Sequence, residues 1–199
     1  MFISLEGIDG AGKSTQGALL AAHLRESGRE VVETREPGGT PGAELIRDLL
    51  VREAGAGWST ETEILLFTAA RRDHVEKVIR PALARGAWVI SDRFIDSTRA
   101  YQRANREMVD LLHRQMIGIE PDLTLIFDLS PEVSGARMRA RAGGQDRFES
   151  RGSRFQLQVR EALCEIAAAE PARCRIIDAT GAAEEVFAST IAALEGAHV

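Results

Sequence analysis

Lys13 and Ser14 close the run Gly7-Ile8-Asp9-Gly10-Ala11-Gly12-Lys13-Ser14-Thr15. In Gly-x-x-x-x-Gly-Lys-Ser the glycines let successive N–H groups turn toward one concavity. The lysine ammonium can then reach terminal phosphates, and the serine hydroxyl can hold Mg²⁺. A helix starting there adds its positive end. Such a run is a P-loop only between a strand and a helix. Phe2-Ile3-Ser4-Leu5 before it reads as a short buried strand, and Leu20, Ala21 and Leu24 after it as one side of a helix. Asp9 is an unusual member: a carboxylate facing phosphates needs a donor or a metal beside it.

A second anion site is legible in the arginines. Arg35 follows the second apolar run, Arg71 and Arg72 lie in a long helical stretch, and Asp92-Arg93 ends the third strand. Arg137, Arg139, Arg141 and Arg147 flank Gly143-Gly144. Any one of them is an ordinary surface residue. Several at strand ends and glycine hinges suit phosphoryl transfer between two nucleotides, whose phosphates repel and whose transferred group must be stabilised in line. Arginine fits because it is planar, always charged and bidentate. No guanine-reading Asn-Lys-x-Asp occurs in the chain, which argues against a GTPase switch, and the small size argues against a motor.

The elements that must position these groups follow from periodicity. Strands are expected at 2–5, 31–34 (Val31-Val32-Glu33-Thr34), 87–92 (Ala87-Trp88-Val89-Ile90-Ser91-Asp92), 123–129 and 173–178. Helices are expected at about 13–27, 43–53, from a capping box at Thr60-Glu61-Thr62-Glu63 to a kink near Pro81, at 98–104, 105–117, from Ser130-Pro131, at 153–169 and 181–195. Five apolar strands alternating with helices predict an α/β fold with a five-stranded parallel sheet and helices on both faces. Ligands in such sheets bind beyond the carboxyl ends of the strands.

The 199 residues fit one domain, and net charge is −5 with no Lys/Arg-rich run, which argues against general nucleic-acid binding. No apolar run approaches a membrane span, and the P-loop begins too near the first residue for a signal peptide. Cys164 and Cys174 read as buried or idle thiols. A cytoplasmic protein is expected.

The chain resembles the thymidylate kinase family over nearly its full length. The resemblance is carried by Leu5-Glu6-Gly7 through Gln16, by Thr34-Arg35-Glu36-Pro37-Gly38-Gly39-Thr40, and by Leu66-Phe67-Thr68-Ala69-Ala70-Arg71. Asp92-Arg93-Phe94-Ile95-Asp96-Ser97-Thr98, Ala100-Tyr101-Gln102, Pro121-Asp122-Leu123-Thr124 and Asp178-Ala179 complete it. The Arg-Glu-Pro-Gly-Gly-Thr and Asp-Arg-x-x-x-Ser-Thr runs are its specific parts.

The resemblance implies transfer of the γ-phosphoryl group of ATP to dTMP, with Mg²⁺, by a homodimer. It implies that Gly7 to Thr15 bind ATP, that Lys13 acts on the terminal phosphates, and that Ser14, Asp9 and Asp92 serve the metal. Phe67 would stack on thymine, Arg71 would donate to a base carbonyl, and Thr98 and Gln102 would face the base. Arg35 and Arg93 would grip the monophosphate. Tyr101 would crowd the sugar 2′ position. Asp9 would accept from the 3′-hydroxyl or help hold Mg²⁺. With no arginine at Gly10 or Ala11, the charge-stabilising arginine would come from a mobile lid at about 141–152: Arg147 within Asp146-Arg147-Phe148-Glu149, with Arg141 second. Arg137 and the loop after Asp178 are adenine candidates by analogy. Two departures concern substrate contacts only: Arg103-Ala104-Asn105-Arg106 replaces a glycine-rich stretch, and Leu163-Cys164 stands where a tyrosine is common. Two other readings stay open: a small P-loop kinase with a different monophosphate acceptor, and an ATP-sensing regulator without one.

Overall fold

The computed structural model describes residues 1–52, 57–140 and 152–197. Five strands, β1 (Phe2–Glu6), β2 (Val31–Arg35), β3 (Trp88–Asp92), β4 (Leu123–Asp128) and β5 (Cys174–Asp178), form one sheet. Every pairing is parallel, in the order β2-β3-β1-β4-β5. The five residues of β1 are all buried, as a central strand covered on both faces requires. Two cores sandwich the sheet. Ile3, Leu5 and Ile90 pack with Leu20 of α1 (Lys13–Glu26), Val159 of α8 (Gly152–Ala169) and Val186 of α9 (Ala183–Glu195). Phe2 and Val89 pack with Ile64 of α3 (Thr60–His74), Ile95 of α5 (Ile95–Tyr101) and Val109 of α6 (Arg106–Leu112). The predicted layers are therefore observed. The remaining helices are α2 (Pro41–Arg47), α4 (Arg80–Ala84) and α7 (Pro131–Ala140).

Three expectations on elements change. The cap of α3 is Ser59, whose hydroxyl accepts from Thr62 N at 3.2 Å, one residue before the expected box. Pro81 does not kink the long helix by itself: a π-helical turn at Val75–Ile79, with the Arg80 N–H donating to Val75 O, absorbs it. Finally, α5 starts at Ile95 rather than Thr98. Asp96 and Ser97 look like loop residues, yet both are buried in the first turn because each finds a long-range partner. Ser97 donates to Glu6 Oε2 at 2.5 Å, and Asp96 accepts from Arg173 at 2.6 and 3.0 Å and from Arg99 at 2.9 Å.

Candidate functional site

The strand order sets β2, β3 and β1 side by side, so the segments after them converge at one edge. The P-loop leaves β1 at Gly7. With φ of 143°, and a Cβ that would sit 2.7 Å from the Phe127 carbonyl, this position excludes any side chain. The loop is also held from above, where the Ser134 hydroxyl of α7 donates to Asp9 O. Lys13 Nζ donates to Gly7 O (3.1 Å) and Ile8 O (2.9 Å). Burial, then the nearby Arg93, lower the Lys13 pKa against the pull of Asp92, Asp9 and Glu6.

Arg93 is the hinge of the site. It has φ 73°, a left-handed backbone that a non-glycine residue adopts only when its surroundings force it. Its Nη1 donates to Gly7 O (3.1 Å) and Ser97 Oγ (3.0 Å), its Nη2 donates to Asp9 Oδ1 (2.5 Å), and its guanidinium lies over the Tyr101 ring. Burial would lower its pKa, but Tyr101, Asp9, Asp92 and Glu6 together raise it. Conversely, burial would raise the Asp9 pKa, while Arg93 and Lys13 hold it below the ordinary carboxylate value. The Arg93 donor that Asp9 needs among phosphates is thus present.

Two clefts meet here. One, of about 550 Å³ including its open mouth, is lined by Phe67, Arg71, Phe94, Thr98, Tyr101 and Gln102, together with Pro37 and Val51. The other, of about 850 Å³, is strongly polar and lined by Gly10, Gly12, Lys13, Ser14, Thr15, Arg35 and Asp92. Asp9, Glu36, Arg47 and Arg93 belong to both walls. The first has the mixed polar and aromatic lining of a small-molecule pocket.

Inside the first cleft Arg71 is locked. Its Nε donates to Glu36 Oε2 (2.7 Å), and its Nη2 donates to Phe94 O (3.1 Å) and Thr98 Oγ1 (2.9 Å). Gln102 donates through Nε2 to Glu63 at 3.3 Å, while its Oε1 is buried without a partner among the described residues. Tyr101 OH is 3.5 Å from Asp9 Oδ2. Burial raises the Tyr101 pKa, so it remains a neutral phenol.

In the second cleft, Ser14 Oγ donates to Asp92 Oδ2 at 2.7 Å. Mg²⁺ is usually held by one or two protein oxygens and completed by phosphates and water. Ser14 and Asp92 fit that donor set. Asp9 is occupied by Arg93, and among the described residues no group of three His, Cys, Asp or Glu could hold a metal alone.

The structure therefore brings together Asp9, Lys13, Ser14, Asp92 and Arg93, and beside them Phe67, Arg71, Thr98, Tyr101 and Gln102. Arg35 faces the P-loop cleft, exposed and paired with Glu44 at 3.1 Å. Arg72 does not join the site: it turns outward to Glu76 and Met116 O. Arg137 stands apart, donating to Thr180 O (3.3 Å) and Gly181 O (3.4 Å), so the two adenine candidates are neighbours. Arg141, Arg147 and the expected lid lie outside the described residues.

Sequence reasoning missed Glu36, Arg47 and Gln156. Glu36 sat unused within a quoted motif. Arg47, on the exposed-looking α2, had no local signal. Gln156 Nε2 reaches Asp9 Oδ2 at 3.4 Å from α8, far along the chain.

A family model described as "Thymidylate kinase" matches residues 5–190. A thymidylate kinase of Dinoroseobacter shibae is 56% identical over 96% of this chain and 95% of its own. One of a Jannaschia species is 54% identical, covering 98% and 96%. The crystal structure of thymidylate kinase from Ehrlichia chaffeensis superposes with a TM-score of 0.78, at 37% identity and covering 98% of each chain.

Proposed function

The chain belongs to the thymidylate kinase family, and from that membership we propose how its two clefts divide the work. The protein transfers a phosphoryl group from ATP to dTMP, giving ADP and dTDP. Neither a different acceptor nor an acceptor-free regulator is favoured by relatives that are all named for one kinase activity. The observation that carries our assignment is the shared wall of Asp9, Glu36, Arg47 and Arg93 between a polar P-loop cleft and a smaller, partly aromatic one.

The P-loop cleft takes ATP, with Lys13 on its terminal phosphates, and Ser14 with Asp92 offers oxygens to Mg²⁺. The bound ion supplies charge neutralisation between the phosphates. The smaller cleft takes dTMP: Phe67 stacks on thymine, Arg71 donates to a ring carbonyl, and Thr98 faces the base. The unpartnered Gln102 Oε1 suits the imide N–H. Arg93, Arg35 and Arg47 hold the acceptor phosphate. Tyr101 and Asp9 bound the sugar. Because the acceptor oxygen is itself the nucleophile, positioning and electrostatics suffice without a strong base.

The chain works as one kinase domain, with 141–152 as its lid and Arg147, seconded by Arg141, stabilising the transferred charge. Arg137 and the loop after Asp178 border the adenine. A cytoplasmic site of action is supported by two free cysteines and by the lack of any helix, among the described residues, long and apolar enough to cross a membrane. A coupled assay tests the reading: ADP release should depend on dTMP, and not on AMP, CMP or GMP. Loss of dTMP affinity in Phe67→Ala, with ATP affinity kept, should accompany it. Unaltered dTMP affinity would remove Phe67 from the acceptor site.

A further inference from the structure

His74 is fully buried, lines neither cleft and has no part in the assignment above. It is nonetheless the centre of a chain of side chains ending at the acceptor. Thr34 Oγ1 is 2.6 Å from His74 Nε2, and His74 Nδ1 is 3.0 Å from Glu36 Oε1. The other Glu36 oxygen accepts from Arg71 Nε at 2.7 Å, and Arg71 donates onward to Thr98 at 2.9 Å. The neutral tautomer protonated at Nδ1 satisfies every link: Nδ1 donates to Glu36, and the Thr34 hydroxyl donates to Nε2.

The chain has consequences for geometry. Glu36 is the only link between His74 and Arg71 on this path, and its two oxygens are split between them. Holding one oxygen on a buried, closely packed imidazole constrains the plane of the carboxylate, and so the direction of the Arg71 fork. The imidazole is fully buried and the loop packs closely against it at Gly39. A Cβ at Gly39 would fall 2.6 Å from Thr34 Oγ1 and 2.7 Å from the His74 ring, and Gly39 has φ 86°. The glycine of the loop, the threonine of β2 and the histidine of α3 are thus one packed unit.

We propose that His74 is a positioning residue for acceptor recognition: through Glu36 it sets the orientation in which Arg71 meets the base. The inference rests on the proposed contact of Arg71 with thymine.

The test is a double-mutant cycle in steady-state kinetics on the full-length enzyme with ATP and dTMP. His74→Ala should raise KM for dTMP about tenfold, the effect of one well-made buried hydrogen bond. KM for ATP should stay within about twofold, since the P-loop cleft is not on the path. His74→Asn, whose amide can take the Nδ1 position, should recover most of the loss. In an Arg71→Ala background, His74→Ala should add nothing. An equal increment in both backgrounds, or an unchanged dTMP KM in His74→Ala, overturns the proposal. If Arg71→Ala itself leaves dTMP KM unchanged, the base contact falls, and the inference with it. Should His74→Ala not fold, Thr34→Val removes only the hydroxyl and carries the same cycle. It should raise the dTMP KM in the parent enzyme and add nothing once Arg71 is gone.

Discussion

A guanidinium that must touch two points of a loop and a helix cannot be replaced by a point charge. Arg93 links Gly7 O, Asp9 and Ser97 from a backbone conformation that costs about 1–3 kcal/mol to hold. Arg93→Lys keeps the charge and loses the fork. Turnover should fall by about 10³, in the range of other phosphoryl-stabilising arginines. Turnover within about tenfold of the parent would show that charge alone suffices. Glu6 offers a pH signature. Its carboxyl is pushed up to about 7 by burial and by Asp96, against Ser97, Arg93 and the Phe94 N–H. Between 4.5, its ordinary value, and about 7 the folded protein holds a proton that the unfolded chain has released. Stability therefore falls as pH rises through that window, by on the order of 3 kcal/mol in all. Glu6→Gln should lack this slope. Urea titrations of both proteins at about pH 5 and pH 8 compare them, and parallel losses would refute the assignment. At this scale the sequence revealed groups whose partners are near in the chain or whose type is telling, such as Lys13 and the Phe67/Arg71 pair. It hid Glu6, Glu36 and Arg47, whose meaning comes only from neighbours brought in by folding.

The early start of α5 is the clearest case of tertiary contact overriding local pattern. Ile95-Asp96-Ser97 becomes the first turn because Arg173, Arg99 and Glu6 wait for its polar side chains. Asp96→Ala would take from two largely buried guanidinium groups the buried carboxylate they share. It should cost about 3–5 kcal/mol, read from the urea midpoint. A loss under about 1 kcal/mol would mean that Asp110, Glu120 and Glu170 already compensate. Strand identities and the α/β alternation were readable because buried parallel strands are almost purely apolar. The starts of α3 and α5 were not, because they depend on a hydroxyl or carboxylate finding its partner in space, whereas Ser130-Pro131 did mark the start of α7. The lid belongs to this scale too. Arg147→Ala should cut turnover about a hundredfold or more while calorimetry finds dTMP binding nearly intact. Unchanged turnover would take the lid out of the chemistry.

Across the whole molecule, several large apolar side chains on neighbouring elements stand exposed among the described residues. Leu45 is 71% exposed, Leu65 51%, Leu111 50% and Met116 50%, on α2, α3, α6 and the turn that follows α6. Apolar residues of this size gathered on packed neighbouring helices mark an association surface. The homodimer that the family resemblance implies would bury these side chains, and α3, which carries Phe67 and Arg71, would tie that face to the proposed acceptor cleft. Leu45→Glu with Leu65→Glu should sediment as a monomer with an unchanged circular dichroism spectrum. A dimer surviving both charges would place the contact elsewhere. Helical periodicity alone cannot tell a face that packs within the chain from one that packs on a second copy.

The wall common to both clefts has a thermodynamic corollary. Arg93 and Asp9 line both clefts, so with donor and acceptor seated as proposed each nucleotide alters the field its companion meets. Linkage then requires that the factor by which ATP changes the affinity for dTMP equal the factor by which dTMP changes the affinity for ATP. Both reduce to a single coupling free energy, to which every residue of the shared wall can contribute.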